Sequence, residues 1–243
     1  MDDNKKALGA RIGEGAFCVI YLCFVLFVAI YSSYMMKKYN DIMDISDRPL
    51  IEFRYAFCFF LALLLGLGDM FHLIPRIIIC IKESIPKQDF FLGLGNLISS
   101  ITMTLFYCML IKVGDTLEYH ENEYNYAIEK ALLVLAAIRI LILILPMNKW
   151  YTREGNRKWA IIRNIPFVIM GILTVVGFIR VIGYADFMPI AFYINIIVAV
   201  ILSFSFYLPV AINGKKNPKL GMLMIPKTLC YMWMLGVMAF WPL

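Results

Sequence analysis

Seven long apolar runs dominate this chain. Their boundaries are roughly 16–36, 53–81, 90–111, 127–147, 159–183, 187–212 and 220–241. Each is at least as long as the ~20 helical residues needed to cross a hydrocarbon core of ~30 Å. One soluble core cannot bury that much apolar side chain, because a protein of this size still leaves a large share of its surface in water. Composition agrees: of 243 residues, 62% are apolar and only 16% are charged. In lipid, backbone groups must be satisfied within the segment, and the period-two alternation of barrel strands is missing, so the runs read as helices. The expected fold is all-α: a polytopic integral membrane protein, one domain over residues 1–243, built as a seven-transmembrane-helix bundle.

The first run follows MDDNKKALGARIGEG and is too long for a cleaved signal peptide, so it reads as a retained helix. Lysine and arginine set the orientation. Thirteen lie on the side of the N-terminus and the loops after runs two, four and six, among them Lys82, Lys87, Lys149, Arg157 and Lys215. Six lie on the other side: Lys37, Lys38, Arg48, Arg54, Lys112 and Lys130. The N-terminus is therefore expected in the cytoplasm and the C-terminus outside, in a plasma or cytoplasmic membrane. The net charge of +6 sits mainly in the inner loops, where it attracts anionic headgroups and gives no reason to expect nucleic acid. The six cysteines lie in apolar runs without a C-x-x-C pair and read as small buried hydrophobes, so neither metal nor cofactor is expected.

Charged groups at membrane depth are costly and mark sites. The second run contains Asp69, His72 and Arg76 at i, i+3 and i+7, one helical face. Asp69 and His72 form the expected acid/base dyad, with an internal ion pair holding the bundle as the bland alternative. The third run carries Asn96, Ser100, Thr104 and Tyr107, with Ser99 beside them, a stripe suited to close packing or to lining a cavity. Arg139 sits in the fourth run with no acid within reach on its own helix, Tyr207 in the sixth, and Lys227 in the seventh. The expected ligand set is Arg76, Asn96, Ser99, Ser100, Arg139, Tyr207 and Lys227. One acid against three cations implies an anionic amphiphile or small anion entering from the inner leaflet.

The segment R-P-L-I-E-F, the apolar run after it and G-D-M-F-H-L-I-P (Arg48 to Pro75), followed by F-F-L-G-L-G-N at Phe90–Asn96, resembles the first half of the lysoplasmalogenase-like membrane family. The resemblance implies a catalytic aspartate at Asp69 and hydrolysis of an ether-lipid vinyl bond. That family's later Ser–Asp pair and its aromatic–Gln motif have no counterpart here, and it has eight spans. Other readings of the same residues are a proton-coupled transporter or channel for a small anion, and a receptor-like or structural membrane subunit. Only two histidines are present, and no G-x-S-x-G, H-E-x-x-H or P-loop, so a three-histidine zinc site and the common hydrolase and nucleotide motifs are absent.

Overall fold

In a computed structural model, which describes residues 2–42, 48–82, 86–117, 123–152, 156–213 and 218–242, the described residues form helices and short turns without strands. Seven α-helices follow one another: α1 (Asp2–Ile42), α2 (Arg48–Lys82), α3 (Gln88–Thr116), α4 (Glu123–Ile144), α5 (Arg157–Ile182), α6 (Ile190–Asn213) and α7 (Met224–Phe240). Six of them are long and apolar enough to cross a membrane. The exception is α4, because Glu129, Lys130 and Arg139 fall in any stretch of it long enough to span.

Helices α1, α2 and α3 overrun their apolar runs at both ends, whereas α6 and α7 begin inside theirs. The 35 residues of α2 would extend ~52 Å at ~1.5 Å per residue, beyond the hydrocarbon thickness. It starts at Arg48, with Pro49 in its first turn, where a missing N–H costs nothing. This corrects the placing of Arg54 among loop cations: it lies inside α2 and is fully buried. The seventh apolar run opens within a 3-10 turn, Pro218–Leu223, so Lys227 is only the fourth residue of α7. His120 and Lys215 lie outside the described residues.

Helix α2 packs between α1 and α3; α3 also meets α4 and α5; α5 leads to α6 and α6 to α7, which returns to α1 and α2. The bundle thus closes on itself around Phe106, Tyr107, Leu110, Phe192, Tyr231 and Met234, all buried. Its outside is apolar as well. Leu26 and Ile30 on α1, Leu133 and Leu141 on α4, Ile172 and Ile179 on α5, and Ile201 on α6 are exposed. A soluble protein rarely shows so continuous an apolar surface, and lipid is the solvent that tolerates it. The architecture is that of a helical multi-pass membrane protein.

Candidate functional site

Helices α2 and α3 approach closely at two glycines. A Cβ on Gly68 would fall 1.9 Å from Thr102 Oγ1, and one on Gly95 would fall 2.4 Å from the Phe71 carbonyl oxygen and 2.6 Å from the His72 Cα. That carbonyl is special. Its helical donor would be the N–H of residue 75, and Pro75 has none. A glycine opposite it lets the α3 backbone come against a freed acceptor where any side chain would collide.

Between these two approaches lies Asp69. Ser99 Oγ of α3 donates to its Oδ1 at 2.5 Å, and the Tyr21 hydroxyl of α1 donates to its Oδ2 at 2.7 Å. Each carboxylate oxygen is therefore served by one hydroxyl from a different helix. Asp69 faces the bundle as expected, but none of the expected cations or His72 bonds to it. His72 shares its helical face without meeting it, because i, i+3 spacing aligns backbones and leaves side-chain direction to packing. The Nδ1 of His72 is shielded and has no partner among the described residues.

Arg76 also departs from expectation. It forms an ion pair with Glu14 of α1 at 3.3 Å, with both side chains partly exposed, and so is neutralised away from the buried site. Asn96 is exposed, and Ser100 donates to the Asn96 carbonyl at 2.7 Å, so neither offers its side chain to Asp69. Ser100 and Thr104 of the α3 stripe bond to their own helix, Tyr107 reaches α6 and α7, and Ser99 beside them turns to α2.

Arg139 and Lys227 are both brought inside. Arg139 is 1% exposed, with its guanidinium carbon 3.4 Å from the Phe167 ring centroid. It lies five residues before the end of α4, nearer the basic end of the bundle than the centre expected for it. Lys227 is 7% exposed, and its ammonium sits 4.9 Å from the Tyr207 ring and 5.3 Å from the Tyr231 ring. It lies within electrostatic range of Asp69, Arg139 and His72. Neither cation has a carboxylate within ion-pair distance among the described residues.

Around them runs a network that sequence reasoning found only in part. Ser203 gives its hydrogen to the Val200 carbonyl at 2.9 Å, so its oxygen accepts from Tyr107 at 3.1 Å, and Tyr231 donates in turn to Tyr107 at 3.4 Å. Tyr207 donates to Asn164 Oδ1 at 2.8 Å, and Asn164 Nδ2 donates to the Ala160 carbonyl at 2.8 Å. Tyr21, Asn164 and Ser203 are the residues the sequence reading missed. An amide inside an apolar run was a usable signal for Asn164. Tyr21 gave none, being one tyrosine in an apolar stretch 48 positions from Asp69. No protein-family model, curated protein or solved structure matches this chain.

Proposed function

We propose that this chain is a seven-span intramembrane enzyme, with α4 as the seventh span, in which Asp69 handles a proton on an amphiphilic lipid reached from the cytoplasmic leaflet. The reaction we assign is hydrolysis of an ether-linked lysolipid at its vinyl bond, in keeping with the resemblance of Arg48–Asn96 to the lysoplasmalogenase-like family. One observation carries this reading: a carboxyl group at membrane depth is held at both oxygens by hydroxyls from two other helices, at 2.7 and 2.5 Å. Such a group is aimed and kept from pairing with a cation, which suits proton transfer better than bundle locking.

In this mechanism the acid form of Asp69 delivers its proton to the vinyl carbon one bond removed from the ether-linked carbon, leaving an oxocarbenium ion. Water adds to that ion, and its surplus proton returns to the carboxylate. The hemiacetal then collapses to an aldehyde and the free alcohol of the headgroup. With no second acid matching the family pattern, Asp69 serves both proton steps, and Tyr21 and Ser99 hold it in place between them.

The test is aldehyde release from a vinyl-ether lysolipid by the purified protein in detergent, with saturated-ether and ester analogues as controls. Asp69→Asn keeps the shape and should lose at least ~100-fold in rate, the scale of a positioned acid. Its thermal unfolding should stay close to wild type. Absence of aldehyde release, or an unimpaired Asp69→Asn, sinks the enzyme reading. Proton-coupled transport of a small anion is the second reading. It is favoured by the shielded, unpartnered Nδ1 of His72 within electrostatic range of Lys227, two titratable groups near the acid. Solute uptake into sealed vesicles without turnover would select it.

A further inference from the structure

The polar interior divides into groups whose hydrogen-bonding capacity is used and groups whose capacity is not. The tyrosine, serine and asparagine donors around Arg139 and Lys227 are committed. Tyr231 gives to Tyr107, Tyr107 to Ser203, Ser203 to the Val200 carbonyl, Tyr207 to Asn164, and Asn164 to the Ala160 carbonyl. Asp69 is served by Tyr21 and Ser99.

The two cations are the exception. Nε and Nη1 of Arg139 are buried and have no hydrogen-bond partner among the described residues. Among the described residues, the Lys227 ammonium meets the ring faces of Tyr207 and Tyr231. Arg163, seven residues into the α5 segment that also bears Asn164 and Phe167, adds positive potential toward Arg139. Its own guanidinium is spent on the Asn148 side chain at 3.1 Å and the Trp150 ring at 4.1 Å.

Arg139 and Lys227 are both buried with no carboxylate within ion-pair distance among the described residues, which leaves a surplus of positive charge. The unfilled positions near them are Nε and Nη1 of Arg139 and the Nδ1 of His72, which lies within electrostatic range of Lys227. Ring faces stabilise a cation by their quadrupole but accept no strong hydrogen bond. Burying an arginine with two idle N–H groups is expensive unless something accepts from them. The occupant that fits is a pure acceptor carrying negative charge, and a planar guanidinium fork favours an oxyanion with two adjacent oxygens.

We propose that Arg139 of α4 and Lys227 of α7 form an oxyanion-binding site, with Phe167, Tyr207 and Tyr231 as its walls, that takes a phosphate-type group. The group is either the headgroup of a single-chain lipid or a free inorganic oxyanion. The site rests on the reading that this end of the bundle is functional. Its readout is binding, so it can fail or hold independently of turnover at Asp69.

The test measures thermal unfolding of the full chain in non-ionic detergent, since a ligand bound to the folded state raises the midpoint. The probes are inorganic phosphate, a monoacylglycerol phosphate and the uncharged monoacylglycerol. A monoacylglycerol phosphate should raise the wild-type midpoint and the uncharged lipid should not. A shift with inorganic phosphate as well identifies a free oxyanion as sufficient; a shift with the phosphorylated lipid alone identifies a headgroup. Arg139→Met should weaken phosphate-type binding by on the order of tenfold or more, as expected for loss of charge-assisted bonds. Lys227→Met should weaken it less, because a point charge is lost rather than a fork. Lys130→Met, on α4 with its ammonium over the Tyr126 ring, should bind as wild type does. Arg139→Lys should restore part of the affinity, which separates recognition from misfolding. The proposal falls if neither phosphate probe shifts the wild type, if a folded Arg139→Met binds as tightly as wild type, or if a cationic amphiphile shifts the wild type equally.

Discussion

Two arginines among the described residues are buried, and they are treated differently. Arg54 on α2 donates Nε to the Met238 carbonyl at 2.8 Å and Nη2 to the Trp241 carbonyl at 2.7 Å. Those acceptors lie at the C-terminus of α7, where carbonyls run out of helical donors and the macrodipole favours a cation. Tyr55 and Phe192 place their rings 5.4 and 5.8 Å from its guanidinium carbon. Arg54 is thus held by two backbone acceptors, with only its Nη1 left unpartnered among the described residues, and it ties the start of α2 to the end of α7. Arg139 is buried as deeply, yet the protein supplies it a ring and leaves Nε and Nη1 empty. A buried cation whose donors are filled locally is part of the scaffold, and one whose donors are left over is addressed to something that arrives.

Charge removal should separate the two arginines most. Arg54→Met loses two charge-assisted bonds and strands two carbonyls, a cost of about 3 kcal/mol or more. Arg139→Met removes a buried charge with idle donors and should leave the stability of the ligand-free protein unchanged or raise it, since buried charges replaced by apolar groups are often neutral or stabilising. Cys58 gives a local reporter, being fully buried with its thiol 3.9 Å from the Leu235 carbonyl. Mass-spectrometric thiol labelling should find Cys58 reactive in Arg54→Met and protected in Arg139→Met. Protection in both, with equal unfolding midpoints, would erase the distinction drawn between the two arginines.

A smaller effect should come from Gly95→Ala. The added methyl meets backbone on α2, the Phe71 carbonyl oxygen and the His72 Cα, and neither can rotate away as a side-chain tip would. Overpacking of this kind costs about 1–3 kcal/mol. It acts where Asp69 and Ser99 meet, so turnover should fall while Cys58 stays protected. Exposure of Cys58 in Gly95→Ala would mean that the two ends of the bundle yield together.

The all-helical class and the six long apolar helices were legible because hydropathy over twenty residues is a strong, local signal. Helix ends were not, since polar turns outside lipid carry no such signal, and this is why Arg54 read as a loop cation; Pro49 was the overlooked mark of an earlier helix start. Asp69, Arg139, Tyr207 and Lys227 stood out as polar groups in apolar runs, and all four turn toward the interior or the network around it. Their partners did not stand out. The pairing of Arg76 with Glu14 and of Asp69 with Tyr21 joins α2 to α1 across many residues of sequence, and only packing decides which side chain arrives.

The smallest expected effect separates the two hydroxyls on Asp69. Ser99→Ala and Tyr21→Phe each remove one donor from a half-buried carboxylate and leave its other oxygen served. Either change should cost about 1 kcal/mol of stability, the scale of one net hydrogen bond in a partly solvated setting. The Tyr21 ring stays in place as Phe and keeps its packing, whereas Ser99→Ala removes only the oxygen, so the two losses should be similar. Together they leave Asp69 without its hydroxyl donors. The double variant should then lose more than the sum of the single ones, because the first loss still leaves an oriented carboxylate and the second does not. The nearest cation able to compensate is Lys227, already within electrostatic range of Asp69. If the lysine swings across to pair with the freed carboxylate, the double variant will bind phosphate probes less tightly as well. That would tie the acid and the cation pair into one site. Strict additivity with unchanged binding would instead make Asp69 and the Arg139–Lys227 pair two independent polar centres sharing a bundle.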